Sequence, residues 1–173
     1  MISLSDDALA AIIEDRGLAA AMRAGIDAFP RYRALIPLLA GGYTRTQLRN
    51  TAEFELVAMQ WAANSASPIH DHGASRCWIV MLEGALDVES FDRLDDGSTS
   101  HAFIESRSRA VIKTGNLDHR MSWRELHRVK NLTDASAYSL QLYAGPQSEY
   151  AIVDGTTYEC SRAKPVHDTT LRI

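Results

Sequence analysis

The sequence predicts a mainly β protein of one domain, in which a helical N-terminal cap sits on a single β-barrel. Three observations carry this expectation. The chain has 173 residues, the size of one domain rather than two. Before Gly41 the apolar residues follow a helical spacing. From Phe54 onward, short apolar or alternating runs are separated by turn residues, as in an all-β sandwich or barrel. Hydrophobic residues make up 46% of the chain, enough for a substantial core. The cap is expected over residues 1–42 and the barrel over 43–173.

Within the cap, Leu9, Ile12 and Ile13 form one apolar face, with Gly17 as the expected stop. Residues 19–28 fit a second helix. Pro30 stands where a third could begin, since the first helical turn tolerates proline. Pro37 would bend or end that helix, and Gly41-Gly42 marks the switch to the barrel.

The strands differ in character. Phe54 to Ala62 and Cys77 to Leu82 are nearly continuous apolar runs, expected of strands covered on both sides. Leu86 and Val88 alternate with Asp87 and Glu89, a half-exposed strand. Asp95-Asp96-Gly97-Ser98 is a turn. Further strands are expected at 101–105, 109–113, 126–130 and 137–143. The sequence holds no internal repeat, linker or low-complexity segment.

Composition narrows the function. The net charge is -4 and the pI about 5.8, with no basic stripe, which argues against nucleic acid as a partner. The amino terminus is acidic and lacks the apolar core of a signal peptide. No apolar run has the length of a membrane span. Two cysteines, Cys77 and Cys160, make no disulfide framework, which suits a reducing compartment. A cytoplasmic monomer acting on a small molecule is the resulting expectation.

The strongest local signal is Pro68-Ile69-His70-Asp71-His72-Gly73. Side chains at i and i+2 of a strand share a face, so His70 and His72 can enter one cavity. Imidazole pairs serve iron, copper, nickel or zinc, and a chance pair on a polar surface is the plain alternative. His127 is the best third ligand, because in Leu126-His127-Arg128-Val129 it shares a face with Val129. His101 and His119 lie beside turn residues and His167 in a polar tail, so all three are expected in solvent.

Other groups have two readings each. Ser139, Gln141 and Tyr143 share one strand face, either a cavity wall or a wet surface, while Leu140 and Leu142 point to a hydrophobic layer. Arg45, after the Gly-Gly turn, reads alone as a surface arginine. Tyr43 reads as a packing residue with its hydroxyl in water, and Cys77 as a small buried hydrophobe.

Four stretches resemble the cysteine dioxygenases, a family of cupin β-barrels. Ser67 to Gly84 is similar to their first motif. Cys77 stands where general cupins carry glutamate, as in the animal-like members, and Gly84 follows after six intervening residues. Leu126 to Asn131 resembles the second motif. Tyr138 to Tyr143 resembles the strand that bears the active-site tyrosine, and Tyr43-Thr44-Arg45 the segment that binds the substrate carboxylate.

The resemblance implies a jelly-roll-like cupin barrel with one Fe(II) per chain on His70, His72 and His127. It implies that Arg45 and Tyr43 bind substrate, that Tyr143 and Ser139 line the active site, and that Cys77 and Tyr143 can be joined by a thioether. The implied reaction joins L-cysteine and dioxygen to give cysteine sulfinic acid. Gln141 departs from the family, which carries histidine there and so has a titrating neighbour for the tyrosine. That departure keeps open a relative making another sulfur product. A 3-mercaptopropionate dioxygenase and a metal-binding cupin sensor are further alternatives. Asn64 also departs, standing where the family has glycine.

Overall fold

Two short polar residues set where the helices begin. In the computed structural model, which describes residues 2 and 4–172, Ser5 Oγ accepts from the Ala8 backbone and caps α1 (Asp6–Ile12). Asp15 likewise accepts from Gly17 N and Leu18 N at the start of α2 (Arg16–Tyr32). Such caps satisfy donors that have no partner inside the helix. Gly17 is therefore not a stop but part of the first turn of α2.

The expected second and third helices are one. Pro30 lies inside α2, and only a 3-10 turn (Arg33–Leu35) follows. Packing overrides the proline here, because the buried stripe of Met22, Ile26 and Phe29 continues to Tyr32, whose hydroxyl donates to Gly25 O at 3.0 Å. Gly25 lets the helix approach the sheet. A Cβ there would lie 2.7 Å from Leu140 Cδ2 and 2.9 Å from Leu56 Cδ2. In α1, Leu9 and the following Ile13 are buried, whereas Ile12 stands at the surface, contrary to expectation.

The barrel is built from two six-stranded sheets. The first contains β1 (Tyr43–Asn50), β2 (Phe54–Trp61), β4 (Arg76–Glu83), β7 (Leu117–Arg120), β9 (Ala137–Ala144) and β12 (Thr169–Thr170), in the order β12-β1-β2-β9-β4-β7. The second contains β3 (Ile69–His70), β5 (Ala85–Arg93), β6 (Ile104–Lys113), β8 (Glu125–Lys130), β10 (Tyr150–Val153) and β11 (Cys160–Ala163), in the order β11-β10-β3-β8-β5-β6. Pairing is antiparallel except between β12 and β1.

The first sheet is covered on both faces, which explains its continuous apolar runs. Leu56, Trp78, Val80, Leu140 and Leu142 pack with the helices. Val57, Met59, Trp61, Cys77, Ile79 and Tyr143 point the other way, into the barrel. The fold is therefore mainly β with a helical cap, as the sequence predicts.

Some strands depart from expectation. The strands predicted at 101–105 and 109–113 are the single strand β6, which pairs along its length with β5 through a bulge at Ser90/Phe91. Its exposed, charged residues suit a sheet edge and hide its period. His101 makes only an isolated bridge to Glu159. The polar β1 and the short β7, β10, β11 and β12 carry too little apolar pattern to be foreseen, and the strand expected to hold both His70 and His72 ends at His70 as β3, with His72 beyond it. Among the described residues, no helix is long and apolar enough to cross a membrane.

Candidate metal centre and carboxylate pocket

The histidines meet because β3 and β8 pair in one register, with His70 directly opposite His127. His72 follows β3 in a loop fixed by Asp71. That buried carboxylate accepts from Ala151 N at 2.7 Å and from Gly73 N at 2.9 Å. Gly73 has φ +59°, and a Cβ there would fall 2.2 Å from Glu149 O. The loop therefore requires glycine, and its path delivers His72 to the other two imidazoles.

The ring geometry suits a metal. The ring centroids are 5.4 Å (His70–His72), 4.6 Å (His70–His127) and 4.9 Å (His72–His127) apart. One ligand atom from each lies within 4.8 Å of the others. His70 Nδ1 lies 3.0 Å from Pro68 O. As donor to that carbonyl it leaves the Nε2 lone pair free. Nε2 of His70 lies 3.2 Å from Nε2 of His127. Adjacent nitrogens each about 2.1 Å from a shared cation would be about 3 Å apart, so the spacing fits ligands. Burial lowers the His70 pKa to about 4 and holds His72 and His127 well below the usual histidine range. Neutral imidazole is the form that binds metal.

A second cluster faces the same space. Arg45 Nη1 donates to the Tyr143 hydroxyl at 3.2 Å, and that hydroxyl donates to Gln141 Oε1. Arg45 Nε and Nη2 are buried without a partner among the described residues. Burial opposes the Arg45 charge, yet Tyr143 and Glu55 hold its pKa above the ordinary arginine value. Two parallel unused donors on a guanidinium match a carboxylate.

The small cavity between the clusters measures about 20 Å³. Arg45, Tyr143 and Gln141 line it with His70 and His127, and Tyr43 lies at its wall against Trp61, with ring centroids 4.9 Å apart. Ser139 shares the strand face but lies off the cavity wall, because its hydroxyl accepts from Trp61 Nε1 at 3.0 Å. Cys77 lies opposite Tyr143 in the β4/β9 register. Burial raises the Cys77 thiol and the Tyr143 hydroxyl above their ordinary pKa values, so both are protonated near neutrality.

The sequence reading missed several residues of this region. Gln147 and Tyr150 reach the cavity from the segment after β9. No periodicity marks that turn, so nothing local signals them. His167 is not simply in solvent. It is half-buried and its Nε2 lies 2.7 Å from Glu55 Oε1, because β12 runs beside β1 and carries the tail over the barrel. His101 and His119 are exposed. Asn64 has φ +58°, a left-handed conformation that asparagine tolerates.

Comparison with known proteins agrees with this architecture. A solved Klebsiella pneumoniae protein with a double-stranded β-helix domain superposes with a TM-score of 0.53 at 13% identity, over 70% of this chain and 93% of that one. Cysteine dioxygenase type 1 of Danio rerio and of Homo sapiens are each 31% identical over 106 residues, 60% of this chain and 52% of theirs. The Rattus norvegicus protein is 30% identical over the same span. The chain thus spans about half the length of the curated relatives it matches. The family profile of cysteine dioxygenase type I matches residues 11–154, most of the sequence, and the chain belongs to that family.

Proposed function

We propose that the chain is an iron-dependent thiol dioxygenase that converts L-cysteine and dioxygen to cysteine sulfinic acid. The observation that carries this is the buried Arg45, whose Nε and Nη2 have no partner among the described residues and which lines one cavity with His70 and His127. Iron, when bound, supplies the Lewis acidity that favours a thiolate and the redox chemistry that dioxygen needs.

The chain's own groups do the rest. Arg45 binds the substrate carboxylate, which favours cysteine over a thiol without one. Tyr143 is held at a fixed place by Arg45 and Gln141 and keeps its proton, since burial opposes phenolate. Trp61, Met59 and Val129 shield the cavity from water. Both atoms of dioxygen enter the sulfinic acid, so the reaction balances without another reductant. A cavity this small requires its lining side chains to shift as substrate enters, and Tyr150 and Gln147 lie on the least regular wall.

One observation favours a second reading. Gln141 takes the Tyr143 proton contact, and an amide cannot pass a proton near neutrality. A relative that makes another sulfur product from cysteine would differ at this contact. Mass spectrometry of the product from Fe(II)-loaded protein, run with an oxygen electrode, separates the cases. Cysteine plus two oxygen atoms is the expected product, with one iron per chain. A different oxidised product would favour the second reading, and no oxygen uptake would leave a metal-binding sensor.

A further inference from the structure

A buried acid lies behind the carboxylate pocket. Glu55 projects to the barrel interior from β2, opposite Tyr143 of β9, and its side chain is only 3% exposed. Its Oε1 accepts from Gln47 Nε2 at 2.9 Å, and His167 Nε2 lies 2.7 Å away, at ion-pair distance but off the line of a hydrogen bond. Burial works against the Glu55 charge, but the contacts with His167 and Gln47 outweigh it and hold the carboxyl below its usual range. Glu55 is thus held ionised beside Arg45: Tyr143, opposite it across the β2/β9 pairing, accepts from Arg45 Nη1, and Gln47, which donates to it, lies two positions from Arg45 on β1.

This creates a conflict. Arg45 is a buried cation with two idle donors, and a buried carboxylate is its natural partner. Yet no ion pair joins them. Glu55 is turned instead toward His167, which belongs to the tail beyond the residues that match the family. The tail itself is anchored to the strand of Arg45. Asp168 Oδ2 accepts from Arg45 N at 2.7 Å, Asp168 N donates to Arg45 O at 2.9 Å, and Leu171 N donates to Gln47 O at 2.8 Å.

We propose that His167, with Gln47, tethers Glu55 away from Arg45 and so keeps the Nε–Nη2 edge open for an anionic ligand. His167 is a positioning residue, which acts on the ligand through Glu55 and Arg45. Without it, Glu55 loses one of its two partners and turns to the idle arginine donors. The internal carboxylate then competes with that of the substrate. The proposal rests on the reading of Arg45 as a carboxylate anchor.

The test compares wild type, H167A, H167Q, the double variant E55Q/H167A and R45A, all iron-loaded. H167A should raise KM for L-cysteine about tenfold, the size of one charge-assisted hydrogen bond, with kcat and iron content little changed. H167Q keeps a donor and should recover most of the loss. The double variant should also recover, because a neutral amide competes poorly. A double variant as impaired as H167A would overturn the tether and point to loosening of the tail. So would an H167A KM equal to wild type while R45A is impaired. If R45A itself leaves KM unchanged, the anchor reading fails, and a crystal structure of H167A still decides the tether. Glu55 within hydrogen-bond distance of Arg45 Nε or Nη2 supports it, and Glu55 left in place overturns it.

Discussion

Arg45 keeps its charge where water cannot reach two of its donors. A buried donor without a partner costs about 1–3 kcal/mol, so the pocket is poised for an acceptor. Arg45→Ala should retain iron and raise KM for L-cysteine by roughly 10- to 150-fold, the worth of a charge-assisted hydrogen bond. Cysteamine, which lacks the carboxylate, should react poorly with wild type. Equal rates with cysteine and cysteamine would remove this role. Cys77 makes a separate prediction. It lies opposite Tyr143 in the register, and both are protonated and buried. Turnover with dioxygen should join them in part of the sample as a thioether that lacks two hydrogens. Peptide mapping reads the linked pair, and only free Cys77 after prolonged turnover would count against it. A strand's period of two assigns Gln141 and Tyr143 to one face from sequence alone, whereas Arg45 and Cys77 read alone as a surface arginine and a buried hydrophobe and gained their site roles only from the family resemblance. Tyr150 was not, since it follows an irregular turn whose direction no local pattern gives.

At the scale of elements, the site hangs on one loop and one pairing. The short β3 delivers His70, and the turn at Gly73 delivers His72. Gly73→Ala would force a β-carbon against Glu149 O in a left-handed backbone. The backbone penalty alone is about 1–2 kcal/mol, and relief of the clash must move the loop. The expected result is a lower melting temperature together with weaker iron retention, read by calorimetry and metal analysis. Unchanged values for both would mean that the loop can relax without moving His72. The metal motif was readable because its two histidines are near in sequence. The element boundaries were less so. Proline at position 30 reads as a helix start, but the stripe ending at Tyr32 holds α2 together through it. β6 read as two strands because its outward residues are charged. β12 left no trace, since a two-residue strand gains its meaning only from pairing with β1.

Over the whole molecule, the three imidazoles are held neutral by burial, and acid must charge them as the chain unfolds. Their folded pKa values lie below the unfolded value of 6.5, with His70 at about 4. The unfolded chain then binds more protons, so their contribution to stability is present above pH 6.5 and is lost as the pH falls toward 4. Chelator-treated protein should therefore melt at a lower temperature at pH 5 than at pH 7.5. Equal melting temperatures would show that the imidazoles are already charged or solvated in the fold. The pairings that build the site also set when it can exist. His70 and His127 are 57 residues apart, and Arg45 and Tyr143 are 98 apart. Closing such distances through strand pairing is slow, and no local fragment contains both halves of either pair. Capture of iron during refolding would then be a late event, and its rate would follow completion of the barrel rather than formation of the helices.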